Sequence, residues 1–458
     1  MIEPGVPLGL RSTAVPPGVD GMRGHTAPLR ASQTPIPHVV AWNLTRRCNL
    51  ACAHCYIAAG GWHTDADELP TGECLRILDE ILAVNQGLLL ILSGGEPLLR
   101  EDLEIIAARA SGGGATVVVG TNGTGLTEGR IASLMEAGVS GVAVSVDSLN
   151  PRYHDRFRHG VGALHETLAA VDRLREARLD FIVQTSLTSG NRHEVADLAA
   201  WAADMGAVSF NLYFLVETGR GEGMRGLSPD ENEAVLAELI ELEQLYRGRM
   251  LVRSKCQPQI MRHAYESAPE SPLLNYATRC PCGVQYCRIT PEGKVTPCPY
   301  MPAVAGDLRE RSFGEIWDGS ALFGLLRRGQ LGGKCGRCEY REVCGGCRAR
   351  AYARDGDFLD EDTSCAYEPD GSIPLVRPAS ASLYGMDDPD RALEWTAEAT
   401  ERMSRVPSFV RGVVMGRVED YARRLDEPVV SAELLDRARR EMPLDFSKRL
   451  PFFARHRQ

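Results

Sequence analysis

The sequence has no run of apolar residues that approaches the length of a membrane span. Its first thirty residues lack the charged-then-apolar pattern of a secretory signal. Both absences lead to the expectation of a cytoplasmic chain. Basic residues do not dominate: Lys and Arg number 51 against 61 Asp and Glu, a formal charge of -10. That leaves no electropositive footprint for nucleic acid or an anionic membrane, so small molecules or proteins are the expected partners. No residue has the setting of a general acid-base pair or a serine-type triad. What the chain does have is cysteine: fourteen in 458 residues, nine of them crowded between Cys280 and Cys365. Without an export signal, that usage argues for metal or redox chemistry over disulfides.

The first cysteine group, Cys48-x3-Cys52-x2-Cys55 followed by Tyr56, leaves an apolar run at 38–44. Three thiolates on one short loop can hold three irons of a 4Fe-4S cube, whose rule is four cysteines. The open fourth iron can chelate the amino and carboxylate groups of S-adenosylmethionine, and one electron then releases a 5'-deoxyadenosyl radical. The alternative is a zinc loop with His54 as fourth ligand, but zinc motifs pair their ligands as C-x2-C.

Residues 1–34 are Pro- and Gly-rich without apolar periodicity and are expected to be a disordered leader. From residue 35 to 225 β-rich runs alternate with amphipathic segments, which predicts βαβ units and a parallel sheet. The predicted strands are 38–44, 88–93, 116–120, 141–146, 181–187 and 208–215, with helices at 71–85, 130–137 and 191–205 among the connections. A helical bridge is expected at 226–279, its main helix opening at Ser228-Pro229. A cysteine-rich domain follows at 280–368, a linker at 369–388, a small helical domain at 389–445 and a tail at 446–458. Three helices are predicted in the small domain, at 389–405, 408–425 and 431–442. Cys74, among Leu75, Leu78 and Ile81 on a helix face, reads as a core residue.

Function in such a sheet belongs at the carboxyl ends of the strands. After the second strand stands Ser93-Gly94-Gly95-Glu96-Pro97. Gly94 and Gly95 permit close approach of backbone to a ligand, and Glu96 can accept a charge-assisted hydrogen bond from the methionyl ammonium. Asn122, Ser145 and Asp147 stand at the third and fourth ends, where they can meet the ribose and carboxylate of the cofactor. Turn formation and capping are the alternatives for them. Gln184 and Thr185 occupy the fifth end. The sixth leads into Thr218-Gly219-Arg220-Gly221, where Arg220 is either a clamp for a substrate carboxylate or a solvated loop charge. His63 and His154 are possible ligands of a porphyrin iron or ordinary polar residues near the surface.

The cysteine spacing, the aromatic Tyr56 and the Gly94-Gly95-Glu96-Pro97 motif together resemble the radical SAM superfamily. The resemblance implies an open six-stranded (β/α)6 partial barrel, and it implies cofactor contacts from Tyr56, Gly94, Gly95, Glu96, Asn122, Ser145, Asp147 and Gln184. Gly293, five positions before Cys298, and the run Cys335-x2-Cys338-x5-Cys344-x2-Cys347 with a later Cys365 resemble the SPASM extension. That resemblance implies one or two auxiliary 4Fe-4S clusters. Cys335, Cys338, Cys344 and Cys365 would hold one, and Cys280, Cys287, Cys298 and Cys347 the other. Cys282 is surplus, Cys256 has no assigned role, and paired structural zinc sites are the alternative.

Longer strings narrow the likeness: Trp42 to Cys48, Ala66 to Leu69, Gly120 to Thr124, Phe214 to Gly221, Tyr286 to Thr290, Pro297 to Tyr300 and Cys344 to Arg350 are similar to the haem-modifying SPASM enzymes. The implied substrate is an iron tetrapyrrole whose propionates lose carbon dioxide to become vinyl groups. A flavodoxin- or ferredoxin-type reductant is the implied protein partner. Pro407 to Arg411 and Glu419 to Arg423 resemble the C-terminal helical domain found in light-independent protochlorophyllide reductase, another tetrapyrrole-linked protein. Two other readings remain open at this level: a SPASM maturase of a ribosomal peptide, and an iron-sulfur electron carrier without turnover of S-adenosylmethionine.

Overall fold

Strand and helix alternate as expected in a computed structural model whose described residues are 35–276, 279–377 and 393–441. The strands are β1 (Val39–Asn43), β2 (Leu89–Ser93), β3 (Thr116–Thr121), β4 (Val139–Ser145), β5 (Phe181–Leu187), β6 (Ser209–Phe214), β7 (Leu251–Lys255), β8 (Tyr286–Ile289), β9 (Lys294–Thr296) and β10 (Gly306–Asp307). They form one sheet in the order β10-β9-β8-β1-β2-β3-β4-β5-β6-β7. Pairing is parallel from β8 through β7 and antiparallel among β8, β9 and β10. The expected six strands are therefore β1 to β6, but the count of six is wrong: the sheet has ten. The expected all-helical bridge at 226–279 contains β7 as well as helices.

Between the strands run α1 (Thr71–Val84), α2 (Leu103–Gly112), α3 (Glu128–Glu136), α4 (Pro151–Arg158), α5 (Ala163–Glu176), α6 (Val195–Asp204) and α7 (Pro229–Tyr246). Helix α7 opens with a reciprocal capping box between Ser228 and Glu231, and Pro229 takes the first-turn position that its missing N–H suits. Helix α8 (Ile260–Ser267) follows β7, and α9 (Phe313–Gly319), α10 (Ala321–Arg328), α11 (Gly333–Arg337) and α12 (Arg348–Asp355) accompany the cysteine-rich segment.

Side chains alternate along each strand. One face, for example Val117 and Val119 of β3, packs on the helices in the main core, which also holds Cys74. On the other face Leu89, Val118, Ala143, Ile182, Val208 and Leu251 form a separate apolar floor, joined by Val406 and Val410 from the C-terminal helices. The sheet is rolled. Tyr213 of β6 and Tyr286 of β8 stand six strand spacings apart, roughly 29 Å if the sheet were flat. Yet Tyr286 feels the charge of Tyr213, after burial, Tyr56 and Cys298, in the forces that raise its pKa.

The small domain has α13 (Ala397–Ser404), α14 (Ser408–Arg424) and α15 (Ala432–Glu441), with two short strands, β11 (Glu394–Trp395) and β12 (Val429–Val430). Its own core includes Trp395, whose indole N–H donates to Glu419 at 2.9 Å. The first helix starts after a Thr396 cap, not at 389. The leader at 1–34, the tail at 446–458 and the linker beyond residue 377 lie outside the described residues.

Candidate active site

The loop after β1 carries Cys48, Cys52 and Cys55, and two glycine segments hold it. Gly95 and Glu96 donate their N–H groups to the carbonyls of Thr45 and Arg47, at 2.7 and 2.8 Å. A Cβ on Gly94 would stand 2.7 Å from the Thr45 oxygen. Gly219, at φ +60°, approaches so closely that a Cβ would come within 2.5 Å of the Tyr56 carbonyl. These glycines admit the close approach of the cysteine loop. Arg220 reaches the same loop: its Nε donates to the Cys52 carbonyl (2.8 Å) and its Nη1 to that of Ala59 (2.6 Å). It braces the loop where a substrate clamp was one expectation. Two of the sulfurs accept backbone N–H groups, Cys48 from Leu50 and Cys55 from Ala59, each at 3.4 Å.

Glu96 is buried, and its carboxylate accepts from Thr121 Oγ1 (2.8 Å) and from the N–H groups of Asn122 (2.9 Å) and Leu98 (3.1 Å). Burial still outweighs these donors and raises its pKa. Asn122 donates to Asn49 in the cysteine loop at 2.8 Å. Ser145 and Gln184 face each other across the β4–β5 pairing, and Gln184 donates to the Tyr213 hydroxyl at 3.3 Å. Thr185 bonds the Val146 carbonyl and is structural.

Asp147 is fully buried, and its carboxylate is taken by Arg158 (2.8 Å) and the Ser186 N–H (2.8 Å). Its carboxylate anchors Arg158 to the end of β5. Burial pushes its pKa up, but Arg158, His54 and His154 overcome this and hold it low. Arg158 was missed in the sequence because it ends a helix, away from the strand ends. His154 is also fully buried, a correction to its surface reading, and its Nδ1 accepts the Asp147 N–H. His63 bonds the Ala58 carbonyl. His54 stacks on Phe157 with ring centres 4.5 Å apart.

Above the apolar floor the inner face turns polar and aromatic. Tyr56, Tyr213, Tyr286 and Tyr300 are each partly accessible, and Tyr286 and Tyr300 each feel the charges of Tyr56 and Tyr213, so the four gather around one chamber on this face. Tyr56 accepts from Asn43 at 2.9 Å and meets Tyr300 edge-on at 5.3 Å. Burial raises all four phenols, and their further perturbers include Cys55 for Tyr56 and Cys256 for Tyr213 and Tyr300. The chamber thus lies between the two cysteine systems. Lys255 and Arg288 stand on the same face. Burial and then Arg253 push Lys255 down to about 7. The signal for this chamber was aromatic residues beside cysteines: Cys55-Tyr56, Tyr286-Cys287 and Cys298-Pro299-Tyr300.

The later cysteines fall into two groups. In one, Cys335, Cys338 and Cys344 accept the N–H groups of Asp362, Tyr340 and Gly346 at 3.4 to 3.5 Å, and Cys344 feels the charges of Cys365 and Cys335. In the other, the sulfurs of Cys280 and Cys282 are 3.4 Å apart, Cys282 bonds with Cys298, and Cys347 faces Cys280 and Cys298. Cys287 does not join them. The β1–β8 register sets it opposite Val40 on the outer face, where Arg327 is the charged neighbour and the surroundings are apolar. Cys282 takes the place expected for Cys287. Cys256, at φ +60°, adjoins this second group and feels Cys347, Cys298 and Cys280.

Among known families the chain matches the radical SAM superfamily over residues 42–202. It also matches the SPASM iron-sulfur cluster-binding domain over 280–348 and the proto-chlorophyllide reductase 57 kD subunit over 395–439. It is 38% identical over 348 residues to the AdoMet-dependent heme synthase of Methanosarcina barkeri, covering 74% of this chain and 99% of that protein. It is 32% identical over 374 residues to the pre-heme d1 synthase of Dinoroseobacter shibae, covering 76% and 90%. Streptococcus suis SuiB bound to S-adenosylmethionine superposes with a TM-score of 0.60 at 14% identity, over 73% of this chain and 78% of that one, a likeness of fold. The chain belongs to the radical SAM superfamily, in the family of the AdoMet-dependent heme synthases.

Proposed function

We propose that the protein modifies the side chains of an iron tetrapyrrole in haem biosynthesis, by oxidative decarboxylation of propionates. The observation that carries this reading is the group of four tyrosines on the inner face, gathered in the space between a three-cysteine loop and a second cysteine group. Such a space suits a flat aromatic ligand. The names of the relatives, heme synthase and pre-heme d1 synthase, point the same way. No helix among the described residues is long and apolar enough to cross a membrane.

The donors fit iron-sulfur clusters. They are sulfurs with backbone N–H groups aimed at several of them, a setting that favours thiolates. Burial first, and then the neighbouring Glu96, Cys52 and Cys55, push Cys48 up to about 12 against the Leu50 N–H, so its thiolate needs a cation beside it. No three described His, Cys, Asp or Glu side chains converge on one metal ion, whereas a cube spreads its cysteines over separate irons. Cys48, Cys52 and Cys55 would hold the cluster that receives S-adenosylmethionine. Cys335, Cys338, Cys344 and Cys365 would hold one auxiliary cluster and Cys280, Cys282, Cys298 and Cys347 another. When bound, the reduced first cluster with S-adenosylmethionine supplies an adenosyl radical that removes hydrogen from a substrate carbon.

The chain's own part is placement and exclusion. Glu96, Asn122, Ser145 and Gln184 line the strand ends where the cofactor's polar groups would lie, while the tyrosine walls orient substrate and shut out water. In this reading residues 35–225 carry the radical chemistry and 280–368 the auxiliary clusters, and a flavodoxin- or ferredoxin-type protein delivers electrons. The test is anaerobic turnover with Fe-coproporphyrin III, siroheme derivatives and a no-porphyrin control, read by mass spectrometry. Loss of carbon dioxide from the porphyrin together with 5'-deoxyadenosine is expected. Unchanged porphyrins would refute the reading.

A further inference from the structure

Two cations on the chamber wall lack the carboxylates that buried cations ordinarily find. Lys255 closes β7 on the inner face, opposite Tyr213 in the β6–β7 register. It makes no hydrogen bond or ion pair among the described residues, and its charged neighbours are Arg253 and Cys256. Arg288 lies across the chamber on β8, opposite Ala41 and therefore on the inner face with Tyr286. It is 6% exposed. One nitrogen donates to the Pro299 carbonyl at 3.1 Å, its guanidinium carbon stands 5.9 Å from the centre of the Tyr56 ring, and its Nε is buried without a partner. Among the described residues it forms no ion pair, and the strongest charged influences on it are Tyr56, Cys298, Arg46 and Tyr286.

Three other arginines in the protein interior are neutralised, while the buried Arg348 is met by the carbonyls of Gly346, Phe358 and Asp360. Arg100 pairs with Asp102, Arg158 with Asp147 and Arg350 with Asp362. Desolvating a cation without a counter-charge is costly, and two such cations on one chamber mark a place where the negative charge arrives with the ligand. Resting on the tetrapyrrole reading, we propose that Lys255 and Arg288 are the specificity residues of the chamber, each binding a carboxylate at a different edge of the macrocycle. The tyrosine faces hold the ring between them, and the cations fix its rotation, so that one acidic side chain and not its neighbour meets the three-cysteine loop. Arg288, a planar fork, suits a bidentate contact, and Lys255 a point charge.

The experiment is an anaerobic equilibrium titration of the full, cluster-reconstituted chain with two probes, Fe-coproporphyrin III and its neutral tetra-amide. A charge-assisted contact is worth about tenfold or more in affinity. Lys255→Met and Arg288→Met should each raise Kd for the acid by about that factor and leave Kd for the amide within about twofold. Lys255→Arg should keep most of the acid affinity. Equal weakening of both probes, or no change in either, would overturn the proposal while sparing the tetrapyrrole reading. A wild type that binds neither probe would overturn both. Lys255 is partly accessible, so its variants keep the test decisive if Arg288→Met fails to fold.

Discussion

Gly95 lies against Arg47 with no room for a side chain: a Cβ on the glycine would stand 2.7 Å from the Arg47 carbonyl carbon and nearer still to its oxygen. The obstacle is backbone, which cannot swing aside as a side-chain tip would. Gly95→Ala should therefore push the cysteine loop off the end of β2, at a cost of about 1–3 kcal/mol. The expected outcome is at least a tenfold loss of 5'-deoxyadenosine formation, on the order that a misplaced site gives, with iron at the auxiliary cysteines retained. Wild-type cleavage of S-adenosylmethionine by this variant would show that the loop does not depend on the contact.

Arg220 tests the same support from the other side. Because its donors go to Cys52 and Ala59, Arg220→Met should slow S-adenosylmethionine cleavage with or without porphyrin, by about tenfold. KM for the porphyrin should stay within about twofold. A large rise in KM with kcat intact would restore the substrate-clamp reading.

The two candidate cysteines of the second auxiliary group give opposite expectations. Cys282→Ser should lower bound iron by about one cluster. Cys287→Ser, on the apolar outer face, should leave iron content unchanged and cost only core stability. Iron and sulfide determination on the two variants decides between them, and the reverse pattern would return Cys287 to the ligand set.

These corrections show where sequence reading stops. Strands β1 to β6 were legible because the face that packs on the helices is apolar over most of its length, as at Val117 and Val119 of β3. Strand β7 was not: Leu251–Lys255 carries Arg253 and Lys255, charges that read as loop. The charges are there because the inner face of β7 borders a chamber instead of a core, so function hid the strand. The Cys48, Cys52 and Cys55 spacing was legible since the three share one loop. The outward placement of Cys287 was not legible because a strand's outward and inward positions depend on register with a partner far away in sequence. Arg220 and Gly95 were read for a ligand when their partner was another loop of the same chain.

The small helical domain is fastened under the sheet through Ser408, which is fully buried. Its hydroxyl donates to the Gly87 carbonyl at 2.9 Å and accepts from Asn85 at 2.8 Å, which leaves His38 Nδ1, at 3.0 Å, to act as a donor. Ser408→Ala takes away the hydroxyl that His38 Nδ1 meets and one of the two acceptors of the Asn85 amide, which keeps the Pro37 carbonyl, and should destabilise the protein by about 1–3 kcal/mol. Denaturant unfolding would measure this, with S-adenosylmethionine cleavage expected to be unchanged at 25 °C. Val410, in the apolar floor, should respond more strongly: Val410→Asp buries an unpaired carboxylate against Val118, Ala143 and Val208. A Val410→Asp chain as stable as wild type would mean that the domain does not close the floor.

His154 makes stability depend on acid. Burial, and then Arg158, push its pKa from 6.5 down to about 4, against the opposing pull of Asp147, Asp155 and Glu194. The unfolded chain therefore takes up this proton first as pH falls. The contribution is fully present above pH 6.5 and is lost progressively toward pH 4, reaching on the order of 3 kcal/mol. His154→Asn keeps an acceptor for the Asp147 N–H and cannot titrate, so its urea midpoint should fall less between pH 7 and about 5 than that of wild type. Parallel declines in the two proteins would mean that His154 is already charged in the folded state. Its burial beside the Arg158–Asp147 pair would then need an additional counter-charge.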